Sequence, residues 1–152
     1  QFKEHPDGSR NSVKTNSLHF INSSKKIASK LKAINASLIL VAPLPEHPGF
    51  FPGICTSQWF RPLMIERCQK TEKDFLQTKR KHIVKAINAL ALEVNNIYVF
   101  DPFEKFCDAK YCYTKKGNIF LYDDDNHLSK EGAILISEDL LNLIVKINSQ
   151  KN

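Results

Sequence analysis

Apolar residues recur at helical spacing over Ser17–Asn35, where Leu18, Ile21, Ile27, Ala28, Leu31 and Ile34 have lysines opposite them. A period near 3.6 residues predicts an amphipathic helix. After a short link the pattern changes to LILVA (Leu38–Ala42), a continuous apolar run of the kind buried on both faces of a parallel sheet. Pro43, Pro45, Pro48 and Pro52, with two glycines, predict a long irregular loop ending near Trp59. Thr71, with Asp74 three residues on, resembles a capping box. The helix it would open carries Phe75, Leu76, Ile83, Ile87, Leu90 and Val94 on one face. IYVF (Ile97–Phe100) reads as a second strand, stopped by Asp101-Pro102. A loop bounded by Cys107 and Cys112 follows, then a short strand at Ile119–Tyr122. The last periodic segment, Lys130–Ile147, turns Ile136, Leu140, Leu143 and Ile147 toward a core.

Helix, strand, helix, strand, helix predicts an α/β fold with right-handed parallel crossovers. Two convincing strands are few for a parallel sheet, which is covered on both faces and usually holds several. Either a strand is hidden in the loops or the chain is the later part of a larger domain, and the second is the expectation here. With 152 residues, 42% hydrophobic and 25% charged, the composition suits a single domain over 1–152, and residues 1–16 are expected to be poorly ordered. No apolar run approaches the roughly 20 residues that cross a bilayer. The opening QFKEHPDGSRNS has no apolar h-region, so it does not read as a signal peptide, and any export signal is expected outside these residues.

Charge changes the picture little. The 22 basic and 16 acidic residues give +6, which makes nucleic acid a partner to consider. The lysines, however, are scattered over the predicted helices (Lys25, Lys26, Lys30, Lys32, Lys79, Lys81, Lys85), where solvated faces normally put them. No nucleic-acid partner is expected. Four cysteines form two local pairs, Cys55/Cys68 and Cys107/Cys112, and neither spacing matches a zinc site. Three disulfide connectivities are open. Pairing each cysteine with its nearer neighbour closes two short loops and places the domain in an oxidising compartment.

The stretch YDDDNHLSKEG (Tyr122–Gly132) concentrates the candidate chemistry. Leu128 and Ser129 read as N′ and N-cap of the last helix. His127 therefore stands at the helix mouth with Asp124 three residues before it. A loop of that length can bring the carboxylate onto one imidazole nitrogen and leave the other as a general base, the arrangement a serine nucleophile requires. The plainer reading is a polar, capped helix start whose acids favour the helix dipole. A calcium loop is a third reading. The EF-hand pattern needs Gly at its sixth and Glu at its twelfth position, and counting from Asp123 these are Leu128 and Ile134.

The run IYVFDPFEKFC…KYC…GNIFLYDDDNHLSKEGA, preceded by LILVAPLPEHP, resembles the C-terminal part of SGNH-type hydrolase domains. The likeness is to those appended to membrane-bound acyltransferases that O-acylate bacterial surface polysaccharides. Carried onto these residues, it covers roughly Leu18 to Leu143. Its features are the Pro43-Leu44-Pro45-Glu46 turn after a strand, Asp101-Pro102 after a later strand, a cysteine loop, and the acid–histidine segment. It implies a three-layer α/β/α, flavodoxin-like sandwich with a parallel sheet, of which this chain holds part. It also implies catalytic roles for Asp124 and His127, acyl-donor and glycan substrates, no cofactor or metal, and a periplasmic location beside a membrane acyltransferase domain of the same protein. The family nucleophile lies in a Gly-Asp-Ser block, and its oxyanion hole uses a Gly and an Asn from two further blocks. None is identified here, and Asp7-Gly8-Ser9 has the order wrong. The expectation is a chain that carries the base, lacks the nucleophile and is by itself inactive. The alternative is a non-catalytic carbohydrate-binding or interaction domain, with Trp59, Phe60 and Arg61 as an aromatic platform, although a Trp after such a loop is more often core.

Overall fold

The computed structural model describes residues 9–55, 59–60, 68 and 70–151, with side chains in the first helix from Leu18 onward. The chain forms α1 (Ser9–Lys32), β1 (Leu38–Val41), β2 (Lys70–Glu72), α2 (Lys73–Glu93), β3 (Ile97–Phe100), β4 (Tyr111–Tyr113), β5 (Lys115–Lys116), β6 (Ile119–Phe120) and α3 (Lys130–Ser149). Short 3-10 turns span Pro52–Cys55 and Phe103–Phe106. The two predicted strands pair with each other. Leu38 N donates to Asn96 O and Ala42 N to Phe100 O, each at 2.8 Å, and both partners advance by four residues, as in a parallel ladder. Helices with small parallel and antiparallel sheets make this a partial α/β fold.

Two compact units result. One holds the chain up to Leu40 together with His82–Val99. Its core is Ala28, Leu90 and Ile97, with Ile21, Leu38, Leu40, Ala91 and Val94 against them. The buried stripe of α1 runs through Ile21, Ser24, Ala28 and Leu31, while Leu18, Ile27 and Ile34 stay exposed. The predicted apolar face is thus narrower than expected, because the small side chains Ser24 and Ala28 occupy its most buried positions. Helix α1 starts at Ser9 rather than Ser17, and residues 1–8 of the expected poorly ordered stretch lie outside the described residues. The Asn96 amide donates to Ala28 O (2.8 Å) and Ala36 O (3.3 Å), tying the end of α1 to the start of β1.

The other unit holds Val41–Lys81 and Phe100–Asn152. Here the loops contain three strands that periodicity missed, β2, β4 and β5: β2 pairs antiparallel with β4, and β5 pairs around Gly117, whose φ of +59° suits glycine, with β6, the short strand expected at Ile119–Tyr122. They form their own small sheets and add nothing to the parallel pair. Phe50, Phe106, Leu121 and Tyr122 form the core, with Leu44, Leu128, Leu135 and Ile136 packed on it. Leu76, Phe103 and Cys112 form a second cluster. Three expectations need correction. LILV is half-buried, with Val41 57% exposed, because β1 pairs with β3 alone among the described residues. Thr71 lies in β2 and does not cap α2, which starts at Lys73; its hydroxyl is engaged by His47 instead. Cys107 and Cys112 are joined, but Cys55 and Cys68 are free thiols, the Cys55 S–H donating to the Cys68 carbonyl at 3.7 Å.

Candidate active site

Helix α3 is seated before it positions anything. Ser129 is its N-cap, extended at φ −67°, ψ 171°, and its Oγ accepts from Gly132 N at 3.0 Å. The same hydroxyl donates to Phe120 O at 2.8 Å, and Ser129 N donates to Leu121 O at 3.0 Å. The first turn of the helix therefore lies directly on the backbone that leaves β6. A Cβ at position 132 would sit 2.0 Å from Leu121 O, so only glycine fits.

Between Leu121 and Ser129 the chain folds into a closed loop. Tyr122 and Leu128 form an antiparallel bridge, and Asp123 N donates to His127 O at 2.9 Å. Inside it, Asp124 Oδ1 accepts from Asn126 N (3.0 Å) and His127 N (2.7 Å), an Asx-type turn. Asp124 Oδ2 lies 2.7 Å from His127 Nδ1. The backbone N–H of Asn126, then the His127 ring and its backbone N–H, hold the Asp124 carboxyl down at about 2. Its carboxylate in turn raises the His127 pKa. With Nδ1 bonded to the acid and the ring side chain 76% exposed, Nε2 faces outward as a proton acceptor. Asp123 and Asp125 make no contact with the imidazole beyond a weaker electrostatic lift.

Two residues that periodicity did not single out fix the neighbouring segments, and the first docks on this loop. His47 N donates to Asp125 O at 2.7 Å, docking the Pro-rich turn on the aspartates. The His47 side chain is buried against Tyr122, with ring centroids 4.8 Å apart at 79°, and its Nδ1 is 2.9 Å from Thr71 Oγ1. Burial pushes the His47 pKa down to about 4, so it is neutral at pH 7. Pro45 beside it is fully buried. The signal available in sequence was Pro45-Glu46-His47-Pro48, two prolines fixing the backbone around one imidazole. Arg80 is the second: its Nε donates to Pro43 O at 2.9 Å, and its guanidinium pairs with Asp101 and stacks 4.3 Å from the Phe103 ring. It thereby joins the segments that leave the C-terminal ends of both parallel strands, where sites form in open α/β sheets.

A family model described as SGNH domain (fused to AT3 domains) matches residues 3–142. The chain belongs to this SGNH domain family. No curated protein and no solved structure matches it. The fusion of this family to AT3 domains supports a membrane acyltransferase domain as partner. Among the described residues, no helix is long and apolar enough to cross a membrane. Ser9, from the out-of-order Asp7-Gly8-Ser9 string, is the first residue of α1, and Asp7 and Gly8 lie outside the described residues. Trp59 is 97% exposed and Phe60 67%, with ring centroids 5.5 Å apart; Arg61 lies outside the described residues.

Proposed function

We propose that this SGNH chain supplies the acid–base arm of a serine acyltransferase or esterase acting on O-acyl groups, acetyl above all, of cell-surface glycans. The observation that carries this reading is the 2.7 Å Asp124–His127 pair with its ring turned to solvent, in a chain of a family fused to AT3 domains. A serine supplied from outside the 152 residues attacks the acyl carbonyl, and its proton passes to His127 Nε2. The ester C–O bond breaks, and the leaving alcohol takes that proton. Water then releases the acyl group as a carboxylate, or a sugar hydroxyl accepts it. Asp124 keeps the proton on Nδ1 and offsets the imidazolium charge throughout. The Cys107–Cys112 disulfide supports an extracytoplasmic site of action. Fluorophosphonate labelling of the full-length protein, with mass mapping, tests the proposal. A single labelled serine is expected outside these residues, with labelling slowed about a thousandfold or more by His127→Ala. A labelled serine within them, or labelling indifferent to His127, sinks it.

The exposure of Trp59 and Phe60 favours a second reading, in which the chain holds glycan without reacting with it. Trp59 is the sole tryptophan, so its fluorescence reports that surface alone. A saturable blue shift on adding glycan supports the reading, and an unchanged spectrum at saturating glycan rejects it.

A further inference from the structure

A cavity of about 390 Å³ opens beside the disulfide, within the roughly 300–1,000 Å³ range of small-molecule sites. Its floor is apolar: Phe106 and Leu121 are buried there, and Leu135 comes from α3. Its rim carries three lysines, Lys105, Lys115 and Lys116, and one carboxylate, Asp108. That carboxylate is already committed. It accepts from Tyr113 Oη at 2.5 Å and from Lys110 N and Tyr111 N at 2.7 Å each. Lys105 is committed too, paired with Asp139 at 2.8 Å. Lys115 and Lys116 have no carboxylate partner among the described residues, and Lys115 is half-buried. The hairpin around Gly117 places both lysines in the lining of the cavity.

Two lysines without a carboxylate partner, beside an apolar floor that lowers the local dielectric, favour the entry of an anion. We infer that this cavity binds an anionic pyranose, a sugar ring bearing a carboxylate or phosphate that Lys115 and Lys116 hold while its C–H face rests on Leu135, the half-buried apolar residue of the lining. The inference rests on the glycan reading for the sugar ring; the choice of an anion rests on the lysines. Leu121 also leads into the acid–histidine loop, with Asp124 three residues on, so the ligand would lie along the segment that presents the dyad.

Binding to the isotope-labelled chain, followed by amide NMR shifts at matched ionic strength, tests this. The probes are methyl glucuronide, glucose 6-phosphate and the neutral methyl glucoside. At least one anionic sugar is expected to shift Tyr113–Gly117 and Leu135 saturably, and the tighter of the two names the anionic group. The neutral sugar is expected to bind about tenfold more weakly or worse. Lys115→Gln with Lys116→Gln should weaken the anionic sugar about tenfold, whereas Lys81→Gln with Lys85→Gln, which do not line the cavity, should not. Equal binding of the neutral sugar, no binding of either anion, or equal weakening by both double variants overturns the assignment. Since the readout is binding, failure of the serine chemistry leaves this result standing, and the reverse also holds.

Discussion

His127 owes its basicity to a neighbour three residues away, and that has a measurable sign. Asp124 stabilises the imidazolium, so the ring titrates above 6.5. The stabilisation this gives the fold is fully present below pH 6.5 and is lost as pH rises through the raised value. For Asp124 the window is opposite: its contribution is present above 3.8 and fades as pH falls toward about 2. NMR titration should place His127 above 6.5 and return it toward that value in Asp124→Asn. An unshifted histidine in the parent chain would rule out the bond. On the proposed mechanism the neutral imidazole is the base, so activity of the full-length protein is expected to rise with pH through the same pKa, with Asp124→Asn moving that rise to lower pH while slowing the reaction. His47 illustrates the opposite case. Its contacts with Thr71, 24 residues on, and with Tyr122 form only on folding, so the flanking prolines hint at a fixed backbone there but not at a buried imidazole.

The start of α3 is the element that decides whether the dyad forms. Ser129 was legible as a cap because capping is local, and the helix begins at Lys130 as the periodicity predicts. Gly132 was not, since its constraint is the Leu121 carbonyl, which lies outside its own helix. Gly132→Ala places a methyl group 2.0 Å from that oxygen, so α3 or the loop must move. The expected cost is about 3 kcal/mol, at the upper end of overpacking penalties, with urea unfolding as the measurement. The His127 ring signal should shift in the same variant; unchanged stability would mean α3 is not seated on Leu121. The misread capping box at Thr71 has the same origin. Thr-x-x-Asp is compatible with a cap, but Lys70–Glu72 pairs with Tyr111–Tyr113, and a residue in a ladder is no longer a helix start.

For the whole molecule, the cysteines separate what was expected from what formed. Thiol titration of the unfolded, unreduced chain should find two thiols, Cys55 and Cys68; none would mean that both nearest-neighbour bridges exist, and four that neither does. The Cys107–Cys112 bridge closes a very short loop, so reducing it should lower stability by only about 2 kcal/mol on the chain-entropy account. Burial and the Cys68 contacts push the Cys55 thiol up to about 12, which leaves it protonated and slow to react.

The sequence by itself determined the three helices, the two parallel strands, the short strand at Ile119–Phe120, the Ser129 cap and the candidate Asp124–His127 pair. Each depends on periodicity or on partners within a few residues, and such terms act before the chain has folded. Tertiary structure alone decided the short strands β2 and β4, the burial of His47, the Arg80 clamp, the demand for glycine at 132 and the choice between bridge and thiol. Those depend on groups distant in the chain, whose approach is set by burial and backbone hydrogen bonding rather than by any local pattern.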